Sequence, residues 1–228
     1  DVDHCRVTPN LKYRLTLPKE NMELRKISFA GQRFVWMASC THGRENADII
    51  QVHKDIKLFI PNLLTVLAPR HPKTVPDVIR LVEKSKLSYA LLSQSTPCPS
   101  DVDIYIIDTV GDLSLLYRKI PIVFLGGSLY PKIGGHNLVE PATYHCALLT
   151  GAYMHKVQDI YQDFCHNEAC YTVKNSKHLE EILLVLHDHG ERVDALQRKS
   201  RQLVEQKQEE LDGFEDKIIR FLKGHLYV

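Results

Sequence analysis

The chain has almost no net charge, no paired-cysteine motif and no long apolar run, and each absence narrows what it can be. Across 228 residues the basic and acidic side chains nearly cancel, leaving a formal charge of +1. Bulk electrostatic attraction to nucleic acid is therefore excluded, although a local basic site is not. The cysteines Cys5, Cys40, Cys98, Cys146, Cys165 and Cys170 are scattered and form no CxxC pair. Zinc spacing is missing, and a chain that is 44% apolar can build a core without a disulfide framework. The expectation is reduced thiols, several of them in strands, in a cytosolic compartment. No segment approaches the ~20 apolar residues that span a bilayer, and no signal peptide is visible. There is no internal repeat, and compositional bias is confined to the Pro/Ser segment "SQSTPCPSD". No Gly-Lys-Ser/Thr closes a phosphate loop, and no GxGxxG follows a first strand.

What is present is a regular alternation. Phe34–Ser39, Leu63–Ala68, Leu87–Leu92, Val102–Asp108, Pro121–Leu125, Cys146–Thr150 and Ala169–Val173 are short apolar runs that read as buried parallel strands. Between them lie helical patterns over Glu45–Phe59, Pro76–Lys86, Gly111–Arg118, Leu138–His145 and Met154–Phe164, then Ser176–His187 and a charged helix over Glu191–Lys223. In Glu45–Phe59, the residues Ile49, Val52, Ile56 and Phe59 define one apolar face. Strand–helix alternation predicts βαβ units with right-handed crossovers: an α/β, Rossmann-like parallel sheet with helices on both faces. In such a sheet ligands sit at the carboxyl ends of the strands. The residues just after each strand are therefore the candidates.

After the first strand comes "SCTHGRE", where Thr41 is expected to cap the helix with Glu45 as a capping-box partner; spacing assigns His42 no role. After the second comes "APRHPK", where prolines hold Arg70 and His71 in a rigid turn and a guanidinium could grip a phosphate. After the fourth, Gly111 and Asp112 open a helix whose free N–H groups favour an anion, or Asp112 complements the helix dipole. After the fifth comes "GGSLYPKIGGHNLVEP". It holds four glycines, of which Gly134 and Gly135 allow close backbone approach. Asn137 caps a helix, and Glu140, one turn in, either accepts both hydroxyls of a ribose or completes a capping box.

Taken together, "NLKY" at 10–13, "VWMASCTH" at 35–42, "LAPRHP" at 67–72, "DTVGDLSLLY" at 108–117 and "GGSLYPKIGGHNLVEP" at 126–141 resemble the C-terminal half of the 3-deoxy-D-manno-octulosonic acid (Kdo) transferases, in family order. The resemblance implies the C-terminal, donor-binding domain of a GT-B glycosyltransferase over residues 34–228, preceded by an interdomain linker at 1–33. The N-terminal acceptor domain, with its catalytic glutamate, would lie outside this chain, which begins at Asp1 and reads as a fragment expected to be inactive alone. It further implies inverting transfer of Kdo from CMP-Kdo to a lipid A precursor in lipopolysaccharide biosynthesis, with no cofactor, no active-site metal and no nucleic-acid partner. The full-length protein would sit on the cytoplasmic face of the inner membrane through an N-terminal segment. Carried over residue by residue, Pro69 and Arg70 would bind CMP, as would Val110, Gly111 and Asp112, and Asn137, Leu138, Val139 and Glu140, with Glu140 on the ribose. Lys12 would stabilise charge in the transition state. Arg14, Cys40, the order Gly43-Arg44-Glu45-Asn46 and "ATYHCALLTGAY" after Pro141 depart from the family pattern. A UDP-sugar-dependent GT-B transferase and a non-catalytic nucleotide-binding domain remain as alternatives.

Overall fold

The computed structural model describes residues 9–14, 28–29 and 33–225; most of the expected linker at 1–33 therefore lies outside the described residues. Seven strands form one parallel sheet in the order β3-β4-β2-β1-β5-β6-β7. They are β1 (Phe34–Thr41), β2 (Leu63–Pro69), β3 (Tyr89–Leu91), β4 (Ile104–Ile106), β5 (Ile122–Leu125), β6 (Ala147–Gly151) and β7 (Tyr171–Val173). The helices are α1 (Arg44–Lys57), α2 (Val75–Lys84), α3 (Leu113–Tyr117), α4 (Val139–Thr143), α5 (Gln158–His166), α6 (Ser176–Asp188) and α7 (Gly190–His225).

The apolar runs become strands because both faces of the sheet are covered. Every residue of β2 is buried, and β1 sends alternate side chains into two separate cores. Trp36 and Ala38 join Ile49 and Val52 of α1, Val78 of α2 and Leu183 of α6. Val35 and Met37 face the opposite core with Leu116 of α3, Val139 of α4 and Ile160 of α5. Helix α7 serves both. Its first turns place Val193 and Leu196 in the α1/α6 core, and its middle places Leu203, Val204 and Leu211 in the other.

Element types match the periodicity, and three local expectations need correction. Helix α1 ends at Lys57, and Phe59 is 70% exposed; Ile60 takes the core position, its N–H bonding back to the Ile56 carbonyl at 2.9 Å. Thr41 does not cap α1: the N-cap is Gly43, and the Thr41 hydroxyl bonds the Asn46 side chain at 2.6 Å. Of the described cysteines only Cys40 lies inside a strand, while Cys146 and Cys170 immediately precede β6 and β7; all five are free thiols.

Strand β1 is flanked by β2 on one side and β5 on the other, so the chain direction across the sheet reverses there. Loops leaving neighbouring strands to opposite sides open a crevice at their carboxyl ends. The crevice floor is tight. The Gly126 N–H bonds the Ser39 carbonyl at 2.8 Å, and the Arg70 N–H bonds that of Thr41 at 3.0 Å. A Cβ on Gly126 would lie 2.7 Å from Thr41 Cα, so the loop after β5 can cross β1 only as glycine.

Candidate donor site at the carboxyl edge of the sheet

Glu45, in the first turn of α1, is 2% exposed and holds the glycine-rich loop. Its carboxylate accepts the backbone N–H groups of Gly127 at 2.7 Å, Ser128 at 2.9 Å and Leu129 at 3.0 Å, and that of His42 at 3.0 Å. The His42 bond does not make the expected capping box, since the N-cap is Gly43; the other three reach a loop more than eighty residues away. The loop then closes on itself, Gly135 N–H to Gly127 carbonyl at 2.7 Å, and the Lys156 N–H bonds Gly134 at 3.0 Å. Gly134 has φ +91°, and the His155 ring lies where its Cβ would be.

Two of the expected nucleotide loops meet in a small groove of about 60 Å³ lined by Cys40, Pro69, Arg70, Val110 and Gly111. Pro69 is the last residue of β2, and Arg70 follows it with an exposed guanidinium that has no hydrogen bond or ion pair among the described residues. Val110 is 83% exposed. Asp112 is the N-cap position of α3, but its carboxylate accepts the Thr109 hydroxyl and so closes the turn. The groove thus offers a free cation beside an exposed apolar side chain, a pairing that suits a phosphate and the flat of a base.

The third stretch also comes near Cys40, close enough for the Glu140 charge to act on its thiol. The charges of Arg70 and Glu140 act on its thiol in opposite senses, and burial pushes that thiol up. Asn137 does not cap α4, whose N-cap is Leu138; its Oδ1 accepts the Val139 N–H at 3.1 Å and closes the turn before the helix, whereas Leu138 and Val139 are fully buried in the core and can offer a ligand only backbone. No capping box forms. Glu140 is half-buried, has no hydrogen-bond or ion-pair partner among the described residues, and is raised above the usual carboxylate range by burial alone. A carboxylate left unpaired at such depth is costly unless a donor group arrives from outside.

Lys12 stands apart. It lies exposed in a 3-10 turn, Leu11–Tyr13, capped by the Asn10 side chain. Tyr13 is buried and donates to Asp163 at 2.9 Å, Asn10 donates to Asp159, and Gln208 donates to the Tyr13 carbonyl at 3.2 Å. No described contact joins Lys12 to Arg70, Asn137 or Glu140; the segment is held by α5 and α7. Arg14, a departure from the expected pattern, pairs with Asp212 at 3.0 Å and with Glu215, so α7 supplies its carboxylates.

The structure gathers three histidines to which spacing assigned no chemistry. His42 after β1 and His136 in the glycine-rich loop stack with rings 5.1 Å apart and Nε2 atoms 2.9 Å apart, and His71 after β2 meets His42 edge-on at 5.7 Å. Burial and the cations around them depress both members of the stacked pair, His136 to about 4. The available signal was their position, each in a loop leaving the carboxyl end of a strand at the switch point.

No family model matches the chain. It is 32% identical over 210 residues to the 3-deoxy-D-manno-octulosonic acid transferase of Rickettsia felis, covering 90% of this chain and 45% of that protein. It is also 32% identical over 192 residues to the probable mitochondrial 3-deoxy-D-manno-octulosonic acid transferase of Arabidopsis thaliana, covering 82% and 42%. The chain therefore spans less than half the length of these curated relatives. Its fold matches the crystal structure of the C-terminal CMP-Kdo binding domain of WaaA from Acinetobacter baumannii with a TM-score of 0.72 at 23% identity, covering 75% of this chain and 89% of that one. The parallel sheet with its helices is that of C-terminal domains of GT-B glycosyltransferases.

Proposed function

The chain belongs to the 3-deoxy-D-manno-octulosonic acid transferase family, and on that premise we propose that it is the donor-binding domain of an enzyme that moves Kdo from CMP-Kdo onto a lipid A precursor. The observation that carries the reading is the convergence at one switch point of the Arg70 guanidinium and the half-buried Glu140 carboxylate, neither with a partner among the described residues, beside the exposed apolar side chain of Val110.

In this reading Glu140 accepts the ribose hydroxyls, which provide the donors it otherwise lacks. Arg70 and the backbone around Gly111 and Asn137 hold the phosphate, whose charge grows as the bond to the anomeric carbon breaks. Fixed positive charge aimed at that oxygen lowers the barrier more than it tightens the ground state. Lys12 serves the same oxygen on domain closure, a movement its pinned but exposed setting on α5 permits. The base that deprotonates the acceptor hydroxyl belongs to the partner domain of the whole enzyme, which works at the cytoplasmic face of a membrane. Among the described residues no helix is long and apolar enough to cross one.

The test is a transfer assay on the full-length protein with CMP-Kdo and a lipid A precursor. Kdo-modified product, abolished by Arg70→Ala, is expected. Tight CMP binding with no transfer would favour a nucleotide-binding domain without turnover.

A further inference from the structure

Beside the nucleotide groove lies a second feature with no role so far. His42, His71 and His136 come from the loops after β1, β2 and β5 and meet at the switch point. The stacked pair has Nε2 facing Nε2 at 2.9 Å, which requires one ring to donate and the other to accept. The groups that act on the pair come from every neighbouring element. Arg70 and His71 lie on the loop after β2, Lys156 on the turn after β6, and Glu45 on α1. Glu45 is the sole acid among them, and its oxygens are already occupied by four backbone N–H groups. Among the described residues the cluster is therefore a cup of cations and potential cations without a free counter-charge. Next to His42 a cleft of about 330 Å³ opens, and it carries Arg44 and Lys132.

The geometry points to this cup as the site of the donor's sugar carboxylate. The inference rests on the CMP-Kdo reading above. An ulosonic acid bears its carboxylate on the anomeric carbon, the same carbon that carries the phosphate ester. A site that grips the phosphate at Arg70 must then place the carboxylate within a few bond lengths of it, and Arg70 is close enough for its charge to reach both His42 and His136. An ordinary nucleotide-aldose has no anion at that position, so the cup would discriminate acidic from neutral sugars. The carboxylate bridges the two rings by accepting from both Nε2 atoms. The accepting ring, neutral with its proton on Nδ1 in the free pair, takes up a second proton from solvent at Nε2 and becomes an imidazolium, because the arriving carboxylate is the counter-charge the cup lacks; a shift of its own proton from Nδ1 to Nε2 would leave that charge unmet. His71 and Lys156 line the approach as long-range attraction, and Glu45 keeps His42 in place through its backbone.

Proton uptake separates this inference from the nucleotide reading itself. The 228-residue chain is titrated with CMP and with CMP-Kdo by calorimetry from pH 6 to pH 8, in two buffers of different ionisation enthalpy. A group whose affinity for protons rises on binding favours the complex at low pH. CMP-Kdo is therefore expected to take up protons beyond those taken up with CMP, and its preference over CMP to grow by about tenfold from pH 8 to pH 6. His136→Ala and His42→Ala flatten that dependence of the ratio. Equal proton uptake for the two ligands, or a pH dependence that survives both substitutions, overturns the inference while leaving CMP binding intact. The wild-type measurement stands even if a variant fails to fold. If CMP does not bind, the nucleotide reading is what fails. The cup is then judged with free Kdo by the ring resonances of His42 and His136: shifts support it and their absence refutes it.

Discussion

Glu45 shows how much of the site hangs on one side chain. As a residue in the first turn of a helix it looked like a capping partner, and it does accept the His42 N–H. Its larger work is to bind three N–H groups of a loop that the sequence places far away. Glu45→Ala leaves four backbone donors without an acceptor in a buried place, and a loss of about 3 kcal/mol in urea unfolding is expected. Glu45→Gln, which keeps one acceptor, should lose less. At the same scale, Arg70→Ala should weaken CMP binding by about tenfold to a hundredfold by calorimetry, the worth of a charged hydrogen bond.

The buried imidazoles make a prediction about pH. His53 is fully buried and depressed by burial, as are the half-buried His42 and His136. A base whose folded pKa lies below its unfolded value binds its proton first in the unfolded chain. Stability is thus complete above about pH 6.5 and falls as the pH drops toward the depressed values, near 4 for His136. Each imidazole contributes at most about 1.4 kcal/mol per pH unit, less for the two that water partly screens. Thermal unfolding followed from pH 7 to pH 5 should show a falling midpoint; a flat profile would mean the histidines are protonated in the folded state. The opposing acid, Asp103, is held well below its usual range by His53, Lys57 and Ser88, against the cost of its own burial, and its contribution is lost only at much lower pH.

Elements were more legible than contacts. Short apolar runs and 3.6-residue spacing marked every strand and helix, because a parallel sheet covered on both faces must be built from such runs. What periodicity could not tell was how loops lock together. Phe59 fits the apolar face of α1 by spacing, but the helix ends before it and Ile60 replaces it. Asn137 was expected to cap α4, but Leu138 holds the N-cap position and Asn137 closes the turn before it, while Glu140 has no hydrogen-bond or ion-pair partner among the described residues. The histidine cup was invisible because its members come from three loops, and only the strand order brings those ends together. The crossing of the glycine-rich loop over β1 can be tested directly. Gly126→Ala puts a Cβ 2.7 Å from Thr41 Cα and 2.8 Å from the Cys40 carbonyl, both backbone. A loss of about 1–3 kcal/mol in unfolding free energy is expected. A neutral result would show that the loop floats free of β1.

At the scale of the molecule, α7 crosses from one core to the other, and the short segment at 10–14 docks on it and on α5. Tyr13 anchors that segment. Tyr13→Ala removes a buried ring and its bond to Asp163, and should cost about 3 kcal/mol, while Tyr13→Phe should cost about 1. Lys12 is carried on this anchor, so the variant should also impair transfer in the full-length enzyme. The central claim, that the carboxyl edge of this sheet is a CMP-sugar site, is tested most directly by calorimetry of the chain with CMP, UMP and UDP side by side. CMP binding well above UMP and UDP, weakened by Arg70→Ala and by Glu140→Gln, is the predicted result; UDP binding without CMP binding would contradict it.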